Sequence, residues 1–177
     1  KNQSEFNRVN IIKERQQRLT VNNLILGSSI SFNTNSQKSL IDENFYQLKW
    51  KIEWVGNVLN KLLELSSKRN DEGEYVINGV TPSQYIKTEL DYIKHYPTGR
   101  DRVLAFRFFG GIAIPTGSSL NIPFSRSYFA GGANDNRAWK AYKLGPGTIN
   151  NTNEFNEANL KISTNLEYRF PIIGSIK

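Results

Sequence analysis

Cysteine is absent from the chain and histidine occurs once, at His95. Disulfides and thiolate metal sites are therefore excluded, and no histidine-based metal centre can form. Long apolar runs are also missing: no stretch approaches the roughly 18 unbroken apolar residues that a membrane-spanning helix needs. That excludes a helical membrane protein but not a barrel, whose strands alternate and hide their apolarity from any window average. The third absence is a basic block. The net charge is +7, yet Lys and Arg are scattered among Glu and Asp, with no single basic face to track a phosphate backbone. Nucleic acid is accordingly not expected as a partner.

Catalytic constellations are equally thin, and the expectation is a protein that is not an enzyme, with no catalytic residues, no metal and no cofactor. His95 sits beside a turn, where a surface or interfacial role outweighs that of a general base. Glu89 and Asp91 are two apart on one strand face, the spacing of a carboxylate pair, but Lys87 beside them points to a balanced charge network. Ser118 and Ser119 have no acid-base partner nearby. The glycine clusters are not followed by Lys-Ser or Lys-Thr and do not join a parallel strand to a helix, so they do not read as a phosphate cradle.

What the sequence does contain is period-two alternation, the signature of strands whose two faces meet different environments. It is clearest from Leu160 to Phe170. There Leu160, Ile162, Thr164, Leu166, Tyr168 and Phe170 oppose Lys161, Ser163, Asn165, Glu167 and Arg169. Tyr46, Leu48, Trp50, Ile52 and Trp54 oppose Gln47, Lys49, Lys51 and Glu53 in the same way. Further along, Ile86, Thr88, Leu90 and Tyr92 face away from Lys87, Glu89 and Asp91. Leu104, Phe106, Phe108, Ile112 and Ile114 form a fourth apolar face, and Leu24, Leu26, Ile30 and Phe32 a weaker fifth.

Five strands are thus expected, near 21–33, 45–57, 83–96, 102–115 and 159–171. Each is about ten residues long or more, enough to cross a bilayer at a tilt. Their charged faces carry both signs, as a wet barrel interior would. Aromatic residues gather near strand ends, where a membrane interface favours an amphipathic ring. A soluble antiparallel sheet with one solvated face shows the same alternation, and the pattern alone leaves both open.

The connections are uneven. His95-Tyr96-Pro97-Thr98-Gly99 supplies a short turn, whereas Gly56 to Thr81 and the 116–157 loop are long, the asymmetry of an outer-membrane barrel. Asn33 to Asn44 is longer than that rule expects. Val58, Leu59, Leu62, Leu63 and Leu65 suit a short amphipathic helix or a strand overhang. Residues 1–20 are polar and without period, and read as the tail of a preceding surface loop. A start at Lys1 and an end at Lys177, just after a patterned strand, give the expectation of a piece of a longer chain.

The long loop carries the most specific signal. It reads Leu-Asn-Ile-Pro-Phe-Ser-Arg-Ser-Tyr-Phe-Ala-Gly-Gly-Ala-Asn-Asp-Asn-Arg-Ala-Trp from Leu120, then Lys140-Ala-Tyr-Lys-Leu-Gly-Pro-Gly147. This resembles the signature of the outer-membrane protein assembly superfamily typified by BamA and TamA, where "PFSERFFAGG-N-VRGF" leads to "LGPG". The likeness spans roughly Arg102 to Ile173. It departs from the family where Val-Arg-Gly-Phe becomes Asn136-Arg137-Ala138-Trp139, with arginine and an aromatic kept.

The resemblance implies an all-β fold, part of a sixteen-stranded transmembrane antiparallel β-barrel with about five strands present, in the bacterial outer membrane. It implies that the motif, with Gly131, Gly132, Arg137, Ala138, Trp139, Gly145, Pro146 and Gly147, folds back into the lumen. The function implied is folding and inserting, or translocating, other proteins. The implied partners are unfolded outer-membrane proteins, the lipid bilayer, and periplasmic or lipoprotein accessory subunits. A guanidinium inside the lumen needs a carboxylate to offset lost hydration, and Glu167 on the polar face of the following strand is its candidate partner. Two other readings stay open: a two-partner secretion transporter, which shares the barrel and loop motif, and a soluble β-sandwich binding module.

Overall fold

The computed structural model of the chain describes residues 9–10, 12–13, 16–17, 19–20, 22–56, 61, 77, 80–117, 119, 121–144 and 157–172. Five strands, β1 (Gly27–Asn35), β2 (Tyr46–Val55), β3 (Tyr85–Gly99), β4 (Arg102–Pro115) and β5 (Leu160–Arg169), form one antiparallel sheet in sequence order. The chain makes two compact units. One, of Ser28–Trp54, Ile86–Ile114 and Ala158–Lys177, contains most of the sheet; the other, of Lys1–Gly27, Val55–Tyr85 and Pro115–Glu157, contains the long connections.

Register is the feature that organises the sheet. In β4 and β5 the partners run from Val103 with Arg169 to Ile112 with Leu160, so each even-numbered residue meets an even one and each odd residue an odd one. Other pairings keep the same parity: the Ser36 amide donates to Tyr46 O at 3.0 Å, and the His95 amide to Phe45 O at 2.9 Å. Because strand side chains alternate, matched parity places all the even side chains on one face of the sheet. That face holds Ile30, Phe32, Trp50, Leu90, Phe106, Ile112, Ile162 and Leu166. The odd face holds Lys51, Glu53, Lys87, Glu89, Asp91, Arg107, Glu167 and Arg169.

Burial is the reverse of a soluble sheet. Ile30, Ile162 and Leu166 of the apolar face are 67%, 66% and 71% exposed, while Glu53 and Val103 of the charged face are buried. Each such aliphatic left in water forgoes about 1.5–3 kcal/mol relative to full burial. An apolar face of this kind belongs against another apolar medium. Even the polar tip of Trp50 is satisfied within that face, its indole N–H donating to Thr88 Oγ1 at 3.2 Å. On the odd face the charges are matched locally: Lys51 with Glu53 at 3.0 Å, Lys87 with Glu89 at 3.1 Å, and Arg107 with Asp91 through two bonds of 2.9 and 2.8 Å. The Glu89/Asp91 spacing therefore serves two ion pairs and makes no carboxylate dyad.

The second unit has a small core in which Val55, Tyr85, Pro82 and Ile122 are almost wholly buried. Gln84 is buried beside them. Its amide donates to Ser119 Oγ at 2.8 Å and its carbonyl accepts the Thr116 amide at 2.9 Å, tying the start of the long loop to the start of β3.

Most strand ends fall within about two residues of the expected ones, and the larger differences are three. The first strand begins at Gly27, not near Val21: Leu24 lies outside it, its carbonyl accepting the Ser83 amide at 3.0 Å. The third strand runs through Pro97 to Gly99, and the turn is only Arg100–Asp101. Asp101 takes a left-handed φ of 59°, which short polar side chains tolerate in a tight turn. The described residues between Val9 and Thr20, expected as loop, are helical, and the Thr20 hydroxyl donates to Gln16 O one turn back at 2.7 Å. The apolar segment at Val58, Leu59, Leu62, Leu63 and Leu65 lies outside the described residues.

The connection from β1 to β2 is closed by Asp42, whose Oδ1 accepts the Asn44 amide at 3.0 Å and Oδ2 the Lys38 amide at 3.3 Å. These backbone bonds, chiefly that from Asn44, hold the carboxylate below its ordinary value of 3.8. Since the folded value is the lower, the stabilisation is present above the unfolded value and is lost as pH falls through the folded one. Protection of the Asn44 and Lys38 amides, taken as exchange relative to the free-chain rate at the same pH, should therefore fall as the medium is taken below that ordinary value, and in Asp42→Ala it should be lost already at neutral pH. For the sheet, Leu166→Arg is expected to cost about 2–4 kcal/mol of folding stability in a bilayer at mid-depth, whereas Asn165→Arg on the opposite face should cost much less, as read by urea unfolding in liposomes.

Candidate functional site

The site lies in the connection that leads from β4 to β5 in the sequence. After β4 the chain passes the buried Ile122 and Pro123, makes a single 3-10 turn at Phe124–Arg126, and reaches the buried Tyr128. It then closes on itself. The Tyr142 amide donates to Ala130 O at 3.1 Å and the Gly132 amide to Trp139 O at 2.8 Å, so residues 130–132 and 139–142 form the two sides of a clasp. Tyr142 fastens it from one side, stacking on Phe129 with ring centroids 4.2 Å apart and on Phe124 at 5.5 Å. Such ring pairs add about 0.5–1.5 kcal/mol each beyond their area.

Gly131 is where the two sides come closest. Its φ is +94°, and a Cβ there would lie 2.5 Å from the Lys140 carbonyl oxygen. Its amide donates to Asp135 Oδ2 at 2.8 Å, so the carboxylate four residues on also fixes this glycine. Gly132 has a similar φ of +98°, but an added Cβ would meet only Ala141 Cβ, at 3.7 Å.

The tip of the clasp carries the motif residues. The Trp139 amide donates to Asn136 O at 3.1 Å and the Ala138 amide to Asn136 Oδ1 at 3.3 Å, a side-chain-closed turn that presents Arg137, Ala138 and Trp139 outward. All three are exposed. Arg137 is steadied from its own turn, Nε donating to Ala133 O at 3.1 Å. Ala138 is not among the residues of positive φ, so the backbone at the position where the family has glycine needs none of glycine's freedom. On β5, Glu167 accepts from Arg169 Nε at 2.8 Å and from Nη2 at 3.2 Å. Gly145, Pro146 and Gly147 lie outside the described residues.

Asp135, Phe124, Phe129 and Tyr142 complete the clasp, and the sequence reading did not single them out. The spacing from Gly131 to Asp135 was the available signal, a carboxylate one turn beyond a glycine pair. Because the two glycines differ in space but share a conformation, they separate the two costs. Gly131→Ala should open the clasp and expose the loop to trypsin, losing about 2–4 kcal/mol of loop stability from backbone strain and clash together. Gly132→Ala carries the strain alone and should lose about 1–2 kcal/mol.

The strand-clasp-strand arrangement falls within the part of the chain that a protein-family model recognises. That model is described as the Omp85 superfamily domain, and it matches residues 72–176, taking in β3, β4, the clasp and β5. No curated protein matches the chain. The match covers more than half of the sequence and agrees with a sheet whose apolar face is the exposed one, and the chain belongs to the Omp85 superfamily, a family of bacterial outer-membrane proteins that insert or transport other proteins.

Proposed function

We propose that this chain is part of the wall of an outer-membrane barrel that folds and inserts other β-barrel proteins, an assembly factor of the BamA and TamA kind. The observation that supports this best is the glycine-built clasp, carrying Arg137 and Trp139, in the connection that joins two strands whose apolar faces are in register. A soluble sandwich would have to cover the exposed even face, and among the described residues only one sheet of more than isolated bridges is formed.

In this reading the even face meets lipid and the odd face lines a hydrated lumen. The sheet is a section of a sixteen-stranded barrel, about strands eight to twelve, and the edges of β1 and β5 are continued by neighbouring strands. An unpaired edge inside a bilayer would leave backbone groups without partners, each costing several kcal/mol. The work done is strand pairing and insertion, with no cofactor. Its partners are unfolded outer-membrane proteins, the bilayer, and periplasmic or lipoprotein accessory subunits.

The clasp acts as a brace from inside, with Arg137 held by Glu167. That pairing would give Glu167 a second guanidinium besides Arg169, and a lumen-facing carboxylate between two arginines keeps its charge matched. In the full-length protein a double-mutant cycle with Arg137→Ala and Glu167→Ala should give a coupling of about 1 kcal/mol or more in unfolding. Zero coupling would remove the pairing. Insertion of an unfolded barrel client into liposomes should fall in Arg137→Ala. A protein that instead passes one dedicated substrate across the bilayer and inserts no client would be a two-partner secretion transporter, which shares this loop.

A further inference from the structure

The connection from Gln37 to Phe45 has an unexplained feature: Leu40 and Ile41 at its tip are 99% and 87% exposed. Their exposure is not the looseness of an unformed loop. The connection is closed at its base by the Ser36 amide on Tyr46 O at 3.0 Å and by the Tyr46 amide on Ser36 Oγ at 2.8 Å. Asp42 bonds both flanks of the tip. Two large aliphatics are thus held out into solvent by a built turn.

Beside Leu40 lies a cavity of about 260 Å³ on the odd face of the sheet, at the end where the short turns are. Its floor is the Phe45 ring stacked on His95, centroids 4.3 Å apart, with Val103 next to it. Its rim is charged: among the described residues Asp42, Glu43 and Asp101 line it together with Arg169, which Glu167 engages. Lys38 and Lys94 are near enough to act on Asp42 but do not line the cavity. The result is an apolar and aromatic floor, an aliphatic lip and an acidic rim.

We propose that this cavity is a docking site for an extended polypeptide that presents a Lys or Arg beside a large apolar residue. The apolar side chain lies against Leu40 and Ile41, and the cation enters above the Phe45–His95 stack toward Glu43 and Asp101. Charge complementarity selects this occupant: an acidic segment would meet three carboxylates in a confined space. The flat ring pair suits a cation or the stem that carries it. The inference rests on the reading of the chain as a handler of unfolded clients, and gives that handling a contact on the wall of the barrel.

The test uses the full-length protein in phosphatidylcholine liposomes, which carry no net charge of their own. Two short fluorescent peptides, one alternating Leu with Lys and one alternating Leu with Glu, are titrated by anisotropy. The Lys peptide should bind about tenfold more tightly or better, and the combined Glu43→Gln and Asp101→Asn variant should erase the preference. Leu40→Ser with Ile41→Ser should weaken binding of the Lys peptide several-fold, and benzoyl-phenylalanine at position 40 should crosslink to it. Equal affinities, or a preference that survives removal of both carboxylates, overturn the proposal. So does an environment-sensitive dye on Leu40→Cys that is blue-shifted by lipid without peptide, because the tip would then sit in the bilayer. Insertion of an unfolded barrel client by the same liposomes separates the two readings. Insertion without peptide preference removes the pocket and keeps the function; preference without insertion keeps the pocket and removes the function.

Discussion

Parity of register is the constraint on which the rest of this structure depends. A strand has no intrinsic inside or outside, only two faces, and hydrogen bonding alone would accept any offset between neighbours. Here Val103 lies opposite Arg169 and Phe106 opposite Leu166, the Ser36–Tyr46 and His95–Phe45 bonds keep the same parity, and the Arg107–Asp91 pair joins odd residues of β4 and β3. A one-residue slip of β5 against β4 would carry Lys161, Glu167 and Arg169 onto the apolar face. The cost of a cation on that face in lipid, about 2–4 kcal/mol for each at mid-depth, multiplies along a strand. This is why the turns matter: the closure between Ser36 and Tyr46, made by two bonds between the same two residues, fixes the register of β1 against β2.

Much of this was legible before any coordinates, for a physical reason. Residues that face two different media must alternate, so β2, β4 and β5 were written in the sequence to within about two residues at their ends. The places where the reading failed are those where alternation is not what decides. Leu24 and Leu26 continue the apolar pattern of β1, yet Leu24 bonds to Ser83 outside the strand. Pro97 looked like a turn residue, but an extended backbone accommodates a proline wherever its missing donor is not required. The helical residues from Val9 to Thr20 leave Val9, Ile12 and Leu19 exposed, so no buried stripe imposed the helical period that pattern reading needs.

The loop was legible in another way. Its resemblance to a family signature located Arg137 and the glycine pair, but resemblance does not say which atoms hold a loop together. Gly131 is required because the Lys140 carbonyl lies against it, and Asp135 is present because the Gly131 amide needs an acceptor. The substitution of alanine for the family glycine at Ala138 has a local answer. With no positive φ at that residue, the turn closed by Asn136 supplies what the sequence alone made look missing.

The clasp also bears on how an arginine can brace a barrel. At the exposed tip the Arg137 guanidinium is hydrated and spends one donor on Ala133 O, so it costs little where it stands. Moved into a confined lumen it would lose water from several donors at once, and a single carboxylate could recover that loss only with both oxygens well placed. Glu167 has its oxygens drawn toward Arg169 on the same strand face. The proposed brace therefore depends on sharing: one carboxylate bridges two planar guanidiniums, each able to give up one bond of a fork and keep another. A lysine at position 137 would offer a point charge without a fork, and Arg169 would keep the carboxylate. On this account the arginine of the loop motif is held to its identity by the competing arginine two residues beyond its partner, and not by charge alone.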